Sequence, residues 1–248
     1  MKNLLTPFLI FLMVIIFAGL FFVITKRMTK AHNAENNNST SQTEIHTKNG
    51  MIVLPEPSLK SNVSIEEALK ARRSTRYYGQ GGLSLKELSQ LLWSAQGITN
   101  ERGYRTAPSA GATFPLELYV VVHEVEGLSP GFYKYHIPSH KLEKLFETDV
   151  RQALSDASHG QPMLVSAAAN IVFTGIFERT ASRYGDRAVR YVYNEIGHAS
   201  QNVHLQAVSL NLGTVVIGAY IDEDVNRILK MPENESVLYM MPVGRLPN

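Results

Sequence analysis

Three guanidiniums and two hydroxyls crowd into five consecutive positions, Arg72-Arg73-Ser74-Thr75-Arg76. Arginine offers forked, charge-assisted donors, and Ser and Thr add neutral ones, so the run suits a phosphate group. A basic helix end complementing the helix dipole would show the same residues. A second cluster, Pro108-Ser109-Ala110-Gly111-Ala112, follows a polar loop with Gly103 and Arg105 and leads through Phe114-Pro115 into an apolar run. Small residues let the backbone approach a flat ligand closely; an ordinary turn before a strand would look alike. Ser109 does not read as a hydrolase nucleophile, because its context is not Gly-x-Ser-x-Gly. Further on, Val216-Ile217-Gly218-Ala219-Tyr220 reads as a strand whose glycine admits a ring or relieves packing against a helix. Pro242-Val243-Gly244-Arg245 ends a last strand in a cation.

Other chemistries are excluded by composition. The chain has no cysteine, which removes disulfides, thiolate nucleophiles, Cys-ligated zinc and iron–sulfur clusters. Its 24 basic and 22 acidic side chains give a formal charge of +2, no basis for a nucleic-acid partner. Glu195-Ile196-Gly197-His198 is a Glu-x-x-His pair, but carboxylate di-iron sites need a second copy. His198 and His204 do not share a helical face, and no His-Glu-x-x-His, Walker A loop or Gly-x-Gly-x-x-Gly occurs. No metal is expected.

The elements that must carry these clusters follow from periodicity and capping signals. Ser64 with Glu67, and Ser84 with Glu87, form two capping-box patterns. They predict helices over Ser64–Arg73 and from Ser84, the second with Leu85, Leu88, Leu91, Leu92 and Ala95 as its apolar face and Gly97 as its C′ residue. Buried strands are expected over Leu116–Val125, Ala169–Phe177 and Thr214–Ile221, and a last strand over Val237–Val243. A hairpin is expected from Gly131–Ile137 and Lys141–Glu147 around Pro138-Ser139-His140. Helices are expected over Val150–Ser158 and Asp222–Lys230, with a long one over Arg187–Leu212 ended by Gly213. Together these predict an α+β class with a largely buried sheet.

At the N-terminus, Phe8 to Ile24 is uninterrupted apolar or Gly, and Leu4 to Ile24 as a helix would span about 31 Å, close to a bilayer's hydrocarbon thickness. Residues 1–30 are therefore expected to be a single transmembrane anchor, the rival being a cleaved signal peptide. Lys26, Arg27 and Lys30 tilt the folded part towards the cytoplasmic side, and Lys2 opposes them. Residues 31–50, rich in Asn, Ser, Thr and Gln, read as a flexible linker, leaving 51–248 as the folded domain.

In this order, the clusters resemble the FMN-dependent nitroreductase superfamily, with its thiazoline/oxazoline oxidase branch the nearest in pattern. The likeness runs from Ser64 to Pro247. It rests on Arg-Arg-Ser-x-Arg, Pro-Ser-Ala-Gly-Ala-x-x-Pro, Tyr184-Gly185-Asp186-Arg187 ahead of Glu195-x-Gly197-His198-x-x-Gln201-Asn202, and the Gly218 segment. The resemblance implies a nitroreductase-like mixed sheet flanked by helices and an intertwined homodimer with two FMN sites at its interface. By matching position, Arg72, Arg73, Ser74 and Arg76 would hold the phosphate and ribityl chain. Pro108, Ser109, Ala110 and Gly111 would meet the isoalloxazine from the other subunit, Ile217 and Gly218 would lie against the ring, and Arg245 would return to the phosphate. Where azoline oxidases of this branch carry a Lys-Tyr pair, this chain has Arg183-Tyr184. Tyr184 keeps a possible proton-transfer role, but Arg effectively cannot deprotonate, which sets azoline oxidation in doubt.

The activity implied is ping-pong hydride transfer: NADH or NADPH reduces FMN, and a small organic acceptor (nitro, quinone or similar) then takes the electrons. Two other readings stand beside it. One is a flavin-dependent oxidase of a peptide or small molecule, and the other a membrane-tethered flavin-binding or interaction module without turnover.

Overall fold

The computed structural model describes residues 47–48 and 50–247. The expected membrane span and the linker up to residue 46 lie outside them. Among the described residues, no helix is long and apolar enough to cross a membrane. The expected linker gives up its last residues to the fold, since Thr47–Lys48 (β1) pairs antiparallel with Met51–Val53 (β2).

Two helices start where their capping boxes predict. In α1, Ile65–Ala71, and α2, Leu85–Gln96, the N-cap serine accepts from the N3 backbone, while the N3 glutamate accepts from the N-cap N–H. Gly97 closes α2 in an extended rather than left-handed conformation, so it is a C-cap and not the expected C′ glycine. The strands are β3, Leu116–Val122; β4, Gly131–His136; β5, Lys141–Phe146; β6, Ala169–Gly175; β7, Leu212–Thr214; and β8, Ser236–Arg245. Between them lie α3, Arg151–Ala157; α4, Met163–Ser166; α5, Phe177–Tyr184; α6, Ala188–Ser209; and α7, Asp222–Ile228. The β4–β5 hairpin turns at Ile137–Ser139 and His140 as expected.

One sheet holds the strands in the order β1-β2-β5-β4-β3-β6-β8-β7. Its strand pairs are antiparallel, with parallel pairing confined to the bridges Ser74–Thr214 and Leu83–Val125. Central β3 is apolar apart from Glu117 because both of its faces are covered. Leu116, Leu118, Val120 and Val122 join a core with α2 and with Val192, Ile196, Ala199, Val203 and Ala207 of α6. Tyr119 and Val121 join a second core with α3, α4 and α7.

Two expectations about the C-terminal third change. α6 stops at Ser209, and the left-handed residue beyond it is Asn211 at φ 56°, not Gly213. The strand expected over Thr214–Ile221 ends at Thr214, and only a bridge, Ile217–Met240, continues the register on β8. Pro242 is the reason. It lies opposite Val215, has no N–H to give, and its carbonyl takes the Tyr78 hydroxyl at 2.9 Å. α5, which periodicity did not announce, fills the interval before α6.

Candidate functional site

The arginine-rich segment leaves α1 and is stitched to the end of β7. Arg72 is the C-cap, its N–H donating to Ala68 O at 2.9 Å. Ser74 bridges to Thr214, and the Thr75 N–H donates to Thr214 O at 3.0 Å. Gly213 permits this closeness, since a Cβ there would stand 2.6 Å from Thr75 Cγ2. Arg73 folds back on its own helix, Nη1 donating to Lys70 O at 2.9 Å and Arg72 O at 2.7 Å. It thus fills the helix-end role that the sequence left open. Ser74 and Arg76 are exposed and Arg72 is half-buried. Among the described residues no carboxylate lies within ion-pair distance of these three arginines.

The small-residue loop is held at another place. Ser109 opens a single 3-10 turn over Ala110–Ala112, with Gly111 at φ 59°. The Ser109 Oγ accepts the Phe114 N–H at 2.9 Å. α5 clasps the loop from one side: Arg183 Nη1 donates to Gly111 O and Arg179 Nη1 to Phe114 O, each at 3.0 Å, and the Thr113 and Thr180 hydroxyls meet at 2.8 Å. The Arg105 guanidinium lies 4.2 Å from the centre of the Phe114 ring. A Cβ on Gly111 would stand 2.6 Å from the Tyr184 hydroxyl and 2.9 Å from Arg183, so only glycine lets α5 close on the loop. Tyr184 therefore touches the predicted ring loop, edge-on to Tyr191 with centroids 5.0 Å apart. Pro108 and Gly111 are exposed, and Ser109 and Ala110 half-buried.

Ile217 and Gly218 divide their roles. Ile217 exchanges both backbone hydrogen bonds with Met240 and buries its side chain in the core shared with α7, so that side chain does not line an open face. The available surface is the exposed backbone at Gly218, beside Tyr239. Arg245 departs from expectation. Its Nη1 and Nη2 grip Glu87 Oε1 and Oε2 at 2.6 and 2.8 Å, and its Nε donates to Gly82 O at 3.1 Å. Burial pushes the Glu87 carboxyl up, but hydrogen bonds from Arg245 and Ser84 outweigh it and hold the pKa below its ordinary value. A fork already closed on a carboxylate is committed to the start of α2 rather than to a phosphate.

Helix α6 links the two clusters. Glu195 lies under Ser109, Asn202 Nδ2 donates to Thr106 O at 3.2 Å, and His204 lies beside Arg72. Glu195 and His204 are about 14 Å apart along the helix axis at 1.5 Å per residue. Burial, helped by the Arg72 charge, pushes the His204 imidazole down to about 4. Its Nδ1 and the Thr214 hydroxyl are buried without a partner. Sequence reading passed over Gln96, took Thr214 only as the start of a strand, and weighed His204 only as a metal ligand. The one signal it carried was Glu195 itself, an acid set among the apolar positions of α6.

Residues 69–245 match the nitroreductase family. The chain belongs to that family. It is 44% identical over 183 residues to a candidate nitroreductase of Methanocaldococcus jannaschii, covering 74% of this chain and 91% of that one. It is 32% identical over 151 residues to the trifolitoxin-processing protein TfxB of Rhizobium leguminosarum, covering 58% of this chain and 38% of that one. Among solved structures, a candidate nitroreductase of Ralstonia eutropha superposes with a TM-score of 0.70 at 28% identity, covering 82% of this chain and 93% of that one. The protein is thus an oxidoreductase of the nitroreductase family with that family's α+β fold. The expectation of a module without turnover is set aside.

Proposed function

We propose that this nitroreductase-family enzyme binds FMN, draws electrons from NADH or NADPH, and passes them to a small organic acceptor of the nitro or quinone kind. The observation that carries this is the Arg72–Arg76 segment. The exposed Arg76 and Ser74 and the half-buried Arg72 have no carboxylate within ion-pair distance among the described residues, which leaves a donor set for a phosphate dianion. The unpartnered Thr214 hydroxyl behind it belongs to the same polar corner. Arg72, Ser74 and Arg76 would bind the phosphate, and Arg73 would contribute the donors its helix end leaves over. Bound FMN would supply the two-electron chemistry that no side chain here supplies. The loop from Pro108 to Gly111 would orient the ring, stiffened by Arg179, Thr180 and Arg183, and the exposed backbone at Gly218 would allow close approach. The Tyr184 hydroxyl, beside Gly111, would hold or take a proton there.

A homodimer fits the surface of α1. Ile65 and Leu69, one turn apart, are 55% and 54% exposed, and Leu59 beside them is 80% exposed. Leu59 and Ile65 line a cleft of about 720 Å³ between the segment 58–65, α2 and α6. An apolar face of this kind is what a second copy would cover. The uninterrupted run from Phe8 to Ile24 supports a single-pass anchor, Lys26, Arg27 and Lys30 after it give a mild preference for a cytoplasmic catalytic domain, and retention of the chain in alkali-washed membranes would test the anchor.

The decisive experiment is the absorbance spectrum of the purified full-length chain, followed by anaerobic addition of NADPH or NADH. Flavin bands that bleach rapidly support the reading, and a colourless chain that takes up no FMN defeats it. The likeness to the trifolitoxin-processing protein favours a second reading, an oxidase of a peptide or small molecule. Against it stands Arg183, which spends its guanidinium on the Gly111 carbonyl and cannot serve as a base. Flavin that resists both nicotinamides but is reduced by a peptide would favour the oxidase.

A further inference from the structure

The small-residue loop ends on a strained residue. Phe114 has φ 46°, in the left-handed region where a Cβ crowds the following carbonyl oxygen. Pro115 comes next, and a residue ahead of proline is pushed towards extended backbone. Among the described residues, Phe114 is the one non-glycine at positive φ that precedes a proline. Ala112 is left-handed as well, at φ 54°. Such a conformation persists only where its surroundings over-determine it. Phe114 is held at each of its groups. Its N–H donates to Ser109 Oγ at 2.9 Å, its carbonyl accepts from Arg179 Nη1 at 3.0 Å, and the Arg105 guanidinium covers its ring.

Arg179 reaches that carbonyl with one arm of a fork whose other arm is anchored. Its Nη2 pairs with Glu117 Oε1 at 2.7 Å. Glu117 is the one charged residue of β3, and its side chain is 15% exposed. Its Oε2 lies 3.5 Å from Lys134 Nζ, which is 3.8 Å from Glu235. Glu235 is itself fixed by the Tyr119 and Thr174 hydroxyls, each donating at 2.8 Å. Neutralising the Glu117 charge needs no more than Lys134, so that need does not explain the second cation. The guanidinium is planar, and seating Nη2 on Glu117 aims Nη1 at the Phe114 carbonyl. The fork thus ties the start of β3 to the end of the loop across Pro115. We propose that Glu117 is a positioning residue that aims Arg179 and so holds Phe114 left-handed at the end of the ring-facing loop. This rests on the reading that the loop from Pro108 to Gly111 faces the flavin.

The test uses the full-length chain, with the fold of each variant checked by far-ultraviolet circular dichroism. Without flavin, Glu117→Ala and Arg179→Ala should each speed hydrogen exchange of the Phe114 amide about tenfold, the worth of one hydrogen bond. The double variant should be no faster than either single one, because both break one chain of contacts. Arg179→Lys should exchange as fast as Arg179→Ala, since an ammonium lacks the fork. Glu117→Gln keeps an accepting oxygen and should stay within about threefold of the wild type. Phe114→Gly removes the strain, so adding Arg179→Ala to it should change exchange at that position less than about threefold. At saturating FMN, Glu117→Ala and Arg179→Ala should alter the visible circular dichroism of the bound flavin in the same way, a signature that lost stability alone does not move. Should Glu117→Ala fail to fold, Glu117→Asp, whose carboxylate stops one carbon short of Arg179, takes its place with the same outcomes expected. Additive effects, unchanged exchange in Arg179→Ala, or Glu117→Gln as fast as Glu117→Ala would overturn the proposal. A wild-type chain without FMN defeats the proposed function, whereas FMN bound by Arg179→Ala with the wild-type dichroism defeats this inference alone.

Discussion

His204 shows how much a single buried side chain can contribute to pH dependence. Its folded-state pKa of about 4 lies below the ordinary 6.5. Between those values the unfolded chain binds the proton and the folded chain does not, so stability falls as the pH drops from about 6.5 towards 4. From pH 7 to pH 5 the loss should be about 2 kcal/mol from this group. Urea unfolding at both pH values should show a smaller difference in His204→Leu, and an equal one would remove His204 as the cause. The arginines separate by the partners they hold. Arg245→Ala should cost about 1–2 kcal/mol of unfolding free energy by releasing Glu87, with little change in flavin retention. Arg72→Ala should do the reverse. Denaturation curves and flavin absorbance measure the two effects separately, and flavin loss in Arg245→Ala alone would restore the phosphate role expected of it. That role is implied only by matching position in the family resemblance. The sequence could not show that Glu87, 158 positions away, already held the guanidinium.

Among elements, the join between the arginine segment and β7 would set the proposed phosphate-binding end of the site. Gly213→Ala would push a methyl into Thr75, 2.6 Å from its Cγ2, and so force the segment off Thr214 without altering any charge. FMN affinity should fall about tenfold in that variant, a loss comparable to one or two bonds from the Arg72–Arg76 turn. Ultrafiltration against free FMN would measure it, and unchanged affinity would show that the join is not needed. The helix starts were legible because a capping box lies within four residues. The end of β7 was not, because Val215 and Val216 favour a strand and only their meeting with Pro242 denies them one. α5 was missed for a related reason: Phe177–Tyr184 is short and mostly exposed, and its place is set by its grip on Gly111 and Phe114.

For the whole molecule, the exposed Ile65 and Leu69 on α1 predict that the chain is a dimer in solution. Replacing both with glutamate should give monomers in sedimentation, together with loss of FMN if the site is shared between subunits. Dimers that survive the double substitution would place the interface elsewhere. The sequence alone determined the apolar periods, the capped helix starts, the buried strands, and the order of clusters by which the family is recognised. All of these are written in near neighbours and in fixed spacings along the chain. The tertiary structure decided which groups are already spoken for: Arg245 by Glu87, Arg73 by its own helix, Arg183 by Gly111. It also decided that Glu195 ends up sealed beneath Ser109. Hydrogen bonds between distant positions and the exclusion of water exist only once the chain has closed on itself, so no local pattern encodes them.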